Sequence, residues 1–219
     1  PTGGDQVFLM RQSGGKWEAA QPVTEPGRDV YRTALAVDGT GRAWVFWPEN
    51  IDGQWDLRAR GWKDGQWTGI IELSNDATPD AFPAATTDNA GRVWVTWQAF
   101  RNGKSVIVTR RQDGEKFGPT TLVSNEGSNC WAPAIAASRG GEVAIGWDTY
   151  EKGDYDVFAR VWKGTEFGAP TTIAASLDAE MRTALAYDVD GRLWIAYESG
   201  PENWGKDQGY LVKDEGGAR

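Results

Sequence analysis

Histidine is absent from this chain of 219 residues, and cysteine occurs once, as Cys130. Without histidine, a Ser-His-Asp or Cys-His catalytic arrangement lacks its base. A transition-metal site is also disfavoured, because such sites normally use histidine or several cysteines. A lone cysteine forms no disulfide within the chain, and we interpret Cys130 as a small buried apolar residue.

Long apolar segments and basic runs are missing as well. No stretch approaches the roughly 20 apolar residues of a membrane-spanning helix. The 23 Lys and Arg residues are outnumbered by 31 Asp and Glu residues, which gives a net charge of −8. Because the cations are scattered along the sequence, we expect neither a nucleic-acid partner nor a membrane partner.

The chain does contain a repeat of 50 residues, together with 13 Trp and 28 Gly. Four similar motifs begin with glycines at this spacing: GRAWVFW (41–47), GRVWVTW (91–97), GEVAIGW (141–147) and GRLWIAY (191–197). Aromatic, apolar, Asp and Arg series keep the same register through the chain. Self-similarity at a period of about 40–50 residues is typical of propeller blades.

Each copy is expected to contain four short strands, a to d, because tight-turn pairs such as Asn102-Gly103 divide it at regular intervals. In the second complete copy the predicted strands are 83–87, 92–99, 104–111 and 116–124. Strand b is apolar on both faces, as expected for a strand between packed sheets. The sequence therefore predicts an all-β fold, a β-propeller of four-stranded blades, over a β-sandwich, which would not require so strict a repeat.

The predicted organisation is a single β-propeller domain over residues 1–219, with about four to five blades present. Complete blades are expected at 30–75, 80–125 and 130–175, and partial blades at 1–25 and 180–213. The first partial blade matches strands c and d, and the last matches strands a and b with a possible c at 210–213. We expect the chain to be a fragment of a larger ring, while a compact four- or five-bladed ring stays an alternative.

Repeated charged residues are predicted to serve the scaffold. Asp38, Asp88 and Asp188 precede the repeated glycines by three positions, where an Asp side chain can cap the a–b turn. Arg42 and its equivalents are expected to stack on the neighbouring tryptophans. Arg60 and its equivalents are expected to link adjacent blades.

Function is expected where the copies differ, on the b–c and d–a loops at one edge of the blades. In the third copy Ala144 and Gly146 replace larger residues. We expect this change either to open space for a ligand beside Trp131 or to leave a gap that Trp131 itself fills, with the acidic loop in solvent. The predicted ligand-binding residues are Trp131, Trp147, Asp148, Tyr150, Asp154, Tyr155, Tyr197, Glu198, Trp204 and Lys206. Aromatic rings with neighbouring acids suit sugars, whose C–H faces stack and whose hydroxyls donate hydrogen bonds. No metal ligand and no cofactor is predicted, with calcium left open.

Three functions stay open. The leading hypothesis is a non-enzymatic module that recognises a ligand, a glycan rather than a protein. The first alternative is a sialidase-like or five-bladed glycoside hydrolase, which would place Asp148 and Glu198 on either side of the scissile bond. A sialidase would also need three arginines. Arg32 and Arg182 occupy equivalent positions of the repeat, and a third is not evident. The second alternative is a structural or oligomerisation domain, and the oligomeric state is not predicted.

The runs WDTYEKGDYDV (147–157) and ENWGKDQG (202–209), with the repeated GR-x-W-V-x-W motif, give the chain a family resemblance. It resembles the propeller portion of uncharacterised bacterial proteins in which a PHP-like metal-dependent hydrolase domain follows, and more distantly sialidase-like propellers. The resemblance implies an accessory recognition propeller outside the cytoplasm, periplasmic or secreted, with a possible hydrolase domain on the same longer chain. No catalytic residue carries over, because the histidines of such a hydrolase domain are absent here.

Overall fold

The computed structural model describes residues 4–125, 127–151 and 153–201. These residues form twenty β-strands and no helix. No segment among them is a helix that is both long and apolar enough to cross a membrane. The strands are grouped in antiparallel sheets that follow the 50-residue repeat.

The opening segment contains two pairs of very short strands. They are β1 (Phe8–Leu9), β2 (Gln12–Ser13), β3 (Lys16–Trp17) and β4 (Gln21–Pro22). β1 pairs with β4 and β2 pairs with β3, both antiparallel. This arrangement is that of the outer two strands of one blade, c and d, which are the strands predicted here.

Three complete sheets follow. The first contains β5 (Ala34–Val37), β6 (Ala43–Ile51), β7 (Gln54–Lys63), β8 (Gln66–Trp67) and β9 (Ile71–Glu72). The second contains β10 (Asp80–Thr87), β11 (Val93–Arg101), β12 (Lys104–Asp113), β13 (Lys116–Phe117) and β14 (Thr121–Leu122). The third contains β15 (Asn129–Ala137), β16 (Val143–Tyr150), β17 (Asp156–Trp162) and β18 (Thr171–Ala174). Each sheet is an antiparallel meander in chain order, and together they are propeller blades, which confirms the predicted fold class.

The last described strands are β19 (Ala179–Tyr187) and β20 (Leu193–Gly200), which pair as strands a and b. Among the described strands, β20 is hydrogen-bonded to β19 alone. The strand predicted at 210–213 lies outside the described residues. Trp194, which follows the repeated glycine of this copy, is 62% exposed, whereas its equivalent Trp44 is completely buried. The difference arises because no described blade covers the outer face of β20.

The fourth strand of a blade differs from the prediction, which treated 116–124 as one strand. It consists of two short strands, β13 and β14, which pair with different parts of β12. Residues 118–120 separate them, and the fourth strand of the first complete blade is divided in the same way, into β8 and β9 around residues 68–70, without a proline. The break lets the outer strand bend around the edge of the blade.

The aspartates of the a–b turns have the predicted capping role. Asp38 Oδ1 accepts hydrogen bonds from the amides of Thr40 and Arg42, at 2.9 and 3.0 Å. Its Oδ2 accepts a hydrogen bond from Trp44 Nε1 at 3.0 Å. The same Asp–Trp bond recurs in the second and the last copy, at 3.0 and 2.9 Å. Each aspartate therefore ties its turn to the tryptophan of the following strand.

The repeated arginines have two different roles. Arg60 and Arg160 donate from Nη1 to carbonyl oxygens of the preceding blade, at 2.8 and 3.0 Å, which agrees with the predicted linking role. Arg110, at the same repeat position, instead donates to Thr120 Oγ1 of its own blade at 2.8 Å, which does not show the predicted link. Arg42 lies over the ring of Trp44, at 5.7 Å, as predicted. Arg92 instead pairs with Asp88 at 2.9 Å, and Arg111 from β12 takes the stacking position over the ring of the second copy.

Adjacent blades pack through apolar faces. One cluster joins the first two complete blades and contains Trp44, Phe46 and Trp97. A second joins the opening segment to the first complete blade, through Val23 and Trp47. A third joins the second and third complete blades. The strands nearest the ring axis, β5, β10, β15 and β19, are neighbours in that order, and their ends position the candidate site.

Candidate functional site

The backbone is distorted at the same repeat position in four copies. Arg32, Phe82, Ala132 and Arg182 all have left-handed conformations, with φ values of 43°, 57°, 48° and 55°. In β10, β15 and β19 the pairing register shifts across this position, as it does at a β-bulge. A left-handed residue that carries a Cβ costs roughly 1–2 kcal/mol, and such strain is often found at functional sites.

These four residues line one cleft of about 570 Å³, which we call the central cleft. Its lining residues are Arg32, Phe82, Pro83, Gln98, Trp131, Ala132, Pro133, Arg182 and Thr183. They come from all four copies whose inner strand is described. The volume lies within the roughly 300–1,000 Å³ that is usual for small-molecule sites.

One wall of the central cleft is formed by a cation held on aromatic rings. The Arg32 guanidinium lies 5.1 Å from the ring centre of Phe82 and 5.5 Å from that of Tyr31. Arg32 Nε donates a hydrogen bond to the Tyr31 hydroxyl at 3.2 Å. The two rings meet edge to face at 5.6 Å. These contacts restrict the arginine and leave its charge at the cleft.

On the other wall, Arg182 contacts both predicted carboxylates. Its amide donates to Asp148 Oδ1 at 2.8 Å, and its Nη1 donates to Glu198 Oε2 at 2.9 Å. Asp148 is only 4% exposed, whereas the Glu198 side chain is 59% exposed. Burial raises the pKa of Asp148 to about 7; the nearby Glu198 charge adds to the shift, and Arg182 opposes it. The structure therefore brings the two acids together around one arginine.

Three predicted aromatic residues form a second group at the edge of the cleft. The Tyr155 ring lies 5.6 Å from the Trp131 ring and 5.1 Å from the Tyr150 ring. Trp131 is opposite Asp148 in the β15–β16 ladder and is itself a lining residue. Trp131 therefore connects this group, which we call the aromatic cluster, to the central cleft.

Other predicted site residues lie elsewhere. Trp147 is a core residue, 1% exposed and stacked on Phe158 at 6.3 Å; it cannot contact a ligand, because neighbouring blades cover it. Tyr197 is exposed on β20. Asp154 is partly buried, and its Oδ1 has no hydrogen-bond partner among the described residues. Trp204 and Lys206 lie outside the described residues.

The expected opening at Gly146 is filled. A Cβ at this position would lie 2.9 Å from Leu185 Cδ1 and 3.3 Å from Thr183 Oγ1. Both neighbours belong to the inner strand of the following blade, and Ala144 is completely buried. The small residues of the third copy thus admit Leu185 rather than a ligand, and the prediction of open space at this point was wrong.

The described residues contain no group of three or more His, Cys, Asp or Glu side chains placed to hold a metal ion. Cys130 is buried, and burial raises the pKa of its thiol. It packs in the cluster between the second and third complete blades, as predicted for a small apolar residue.

Sequence reasoning missed Phe82 and Gln98 as site residues and did not select Arg32. A signal was available, since YRTALA and MRTALA place Arg32 and Arg182 at equivalent positions. What the sequence did not reveal is the left-handed backbone, because arginine and phenylalanine are not residues that favour it.

No family model matches the sequence, and no curated protein matches it. Solved structures do share the fold. An α-L-arabinanase from Penicillium chrysogenum, complexed with arabinobiose, has a TM-score of 0.61 at 12% identity, covering 82% of this chain and 60% of its own.

A protein of unknown function from Dyadobacter fermentans has a TM-score of 0.60 at 14% identity, covering 87% of this chain and 64% of its own. A Hadza microbial sialidase has a TM-score of 0.57 at 13% identity, covering 88% and 46%. The chain thus spans from 46% to 64% of the length of these three proteins. At such identities the likeness establishes the β-propeller fold alone.

Proposed function

We propose that this propeller binds glycans in the central cleft and acts as a recognition module without catalytic activity. The observation that carries the proposal is the convergence on one cleft of four side chains, of three chemical kinds, from the same backbone position in four copies of the repeat. An arabinanase complexed with arabinobiose and a sialidase share the fold, so glycan ligands occur among propellers of this shape.

The lining chemistry supports a sugar ligand. Trp131 and Phe82 offer aromatic surface on which the C–H face of a sugar ring can stack. Gln98 and Arg182 line the same cleft, and their amide and guanidinium groups can bond hydroxyl oxygens. Aromatic surface and a few polar groups therefore share one cleft, and such polar groups fix the orientation of a bound small ligand.

A glycan array followed by calorimetry with the best ligand tests the proposal. Trp131→Ala should weaken binding about tenfold, because an aromatic stacking partner is worth about 1.5 kcal/mol. Phe82→Ala is a second variant, and Ala132 shows that alanine is tolerated at the equivalent position. Trp17→Ala, in the exposed β2–β3 hairpin away from the cleft, should bind like the parent. Unchanged binding in both cleft variants would exclude the central cleft.

A glycoside hydrolase is the second candidate, favoured by the pKa of about 7 at Asp148 beside the exposed carboxylate of Glu198. One protonated and one ionised carboxyl is the pattern of glycosidase pairs. Against it, Asp148 is buried beneath Arg182 and does not line the cleft. Turnover of a chromogenic glycoside that is lost in Glu198→Gln would establish the hydrolase and refute the non-enzymatic proposal.

Two further proposals follow from the resemblance and the surface. We propose a bacterial location outside the cytoplasm, which secretion of a tagged full-length protein would test.

We propose no cofactor, and a melting temperature raised by calcium and lowered by a chelator would contradict this. The exposed face around Trp194 supports the structural alternative, in which light scattering at rising concentration would show self-association.

A further inference from the structure

The central cleft contains a cation, Arg32, that pairs with no acid among the described residues. Besides Arg32, the charged residue that lines the cleft is Arg182, whose guanidinium pairs with Glu198 at 2.9 Å. Arg32 forms no ion pair within residues 4–125, 127–151 and 153–201, and only its Nε donates a hydrogen bond there, to Tyr31. The chain has 31 acidic and 23 basic residues, and although acids are in excess, no acid of the described part of the chain pairs with this arginine.

Apart from the exposed turn residue Arg139, the other described arginines without an ion pair have a structural partner. Arg60 and Arg160 donate to backbone carbonyls, Arg110 donates to the Thr120 hydroxyl at 2.8 Å, and Arg111 lies between two tryptophan rings. Arg32 differs, because its ring contacts hold the guanidinium at a cleft without using the two terminal nitrogens.

The geometry of Arg32 suits an incoming anion. Its backbone is left-handed, with φ 43°, and its guanidinium rests on Phe82 and Tyr31 at 5.1 and 5.5 Å. A side chain restricted in this way loses little freedom when a ligand binds. The planar guanidinium matches carboxylate and sulfate oxygens, which accept two parallel hydrogen bonds.

We propose that the central cleft selects glycans that carry an anionic group, with Arg32 as the residue that binds the carboxylate or sulfate. This inference rests on the glycan-binding function proposed above and specifies its ligand class. Trp131 lines the same cleft, so one ring of the ligand can stack there while its acidic group contacts Arg32. Arg182 contributes less, because Glu198 already compensates its charge.

The test compares matched ligands by calorimetry at low and high salt. Oligogalacturonate is compared with its carboxyl-reduced neutral form, and a sulfated oligosaccharide with its desulfated form. The parent protein should bind at least one acidic ligand about tenfold more tightly than its neutral partner, and added salt should reduce the difference. Preference for carboxylate alone or for sulfate alone supports the proposal and identifies the group.

Three variants test whether Arg32 causes the preference for the acidic ligand. Arg32→Gln should remove the preference for the acidic ligand without changing neutral binding, and Arg32→Lys should retain part of it, because lysine keeps the charge without the planar fork. Arg139→Gln removes the same charge at an exposed a–b turn and should bind like the parent. Melting temperatures verify folding; glutamine also carries a Cβ, so the backbone strain does not change.

The outcomes separate the two proposals. Equal binding of acidic and neutral ligands by the parent, or a preference that survives Arg32→Gln, would overturn the anionic-glycan inference while glycan binding stands. Absence of binding to every acidic and neutral ligand and to a glycan array would overturn the proposed function itself.

Discussion

Replacement of Asp38 by alanine should destabilise the protein strongly. The Asp38 carboxylate accepts hydrogen bonds from two amides, from the Thr40 hydroxyl, from Trp44 Nε1 and from Gln112 Nε2, between 2.7 and 3.1 Å. Trp44 is completely buried, so its indole N–H would lose its partner away from water. Hydrogen bonds to charged groups are worth about 1.5–3 kcal/mol, and a buried donor left unpaired costs about 1–3 kcal/mol. We expect a loss of about 3–4 kcal/mol in the free energy of unfolding.

The chain supplies a control in Asp188, which accepts the corresponding bonds from two turn amides and from Trp194 Nε1 but has no counterpart to the Thr40 and Gln112 bonds of Asp38. Because Trp194 is exposed, water can replace the lost acceptor, and Asp188→Ala should shift the urea midpoint much less. Tryptophan fluorescence in urea gives both free energies at pH 7. Equal losses in the two variants would refute the reasoning that burial of the tryptophan sets the cost.

The pH dependence of the Asp38 effect has a definite sign. Burial opposes ionisation, but hydrogen bonds from Thr40, Trp44 and Gln112 outweigh it and hold the pKa of Asp38 well below its usual value. A folded-state pKa below the unfolded value of about 3.9 stabilises the protein above that pH. The difference between parent and Asp38→Ala should therefore be largest near neutral pH and decrease as the pH falls below about 4.

Three further predictions concern the third blade. Trp147→Ala should cost about 3–5 kcal/mol in chemical denaturation, because a fully buried indole stacked on Phe158 is removed; a loss below 1 kcal/mol would place this residue at the surface. Gly146→Ala should cost about 1–3 kcal/mol through the contact of its Cβ with Leu185, and Leu185→Ala in the same chain should relieve part of it, which a double-mutant cycle measures. Burial raises the folded pKa of Asp148 to about 7, so the folded state retains a proton that the unfolded state releases near pH 4. The free energy of unfolding therefore decreases as the pH rises from about 4 to about 7. Asp148→Asn should therefore be more stable than the parent at pH 8, by on the order of 4 kcal/mol, and similar to it at pH 4; thermal melts that show the same pH slope for both would contradict this pKa.

Much of the fold could be predicted because the repeat is encoded by local chemistry. Asp38 and its equivalents occupy turn positions whose recurring hydrogen bonds come from residues two to six positions away. Strand b alternates along its length, and the structure confirms it as the buried strand of the three complete blades. The broken outer strand was less predictable, since the pairing of β13 and β14 with separate parts of β12 depends on how the blade edge bends.

The site was harder to predict because its residues are distant in sequence and meet only through the ring. Trp131, Tyr150 and Tyr155 come from one blade, and sequence reasoning placed them together correctly. The effect of Gly146 was misjudged, because the residue that fills its space, Leu185, belongs to another copy. Local reasoning identifies a missing side chain, but the partner across a blade interface determines whether a cavity results.

The left-handed position shows which features of the cleft belong to the repeat and which could serve a ligand. The backbone conformation belongs to the repeat, whereas the side chains differ between copies. Ala132 adopts the same strained backbone as Arg32, Phe82 and Arg182, yet its methyl group has no polar chemistry to offer a ligand. The strain is therefore a property of how each inner strand begins, and strain alone does not identify a function. What distinguishes the cleft is that the same backbone shape carries different side chains. They are the Arg32 guanidinium, the Phe82 ring, the Ala132 methyl group and the Arg182 guanidinium, which is paired with Glu198. An asymmetric ligand needs an asymmetric site, and in a propeller built from equivalent copies only such side-chain differences can provide one.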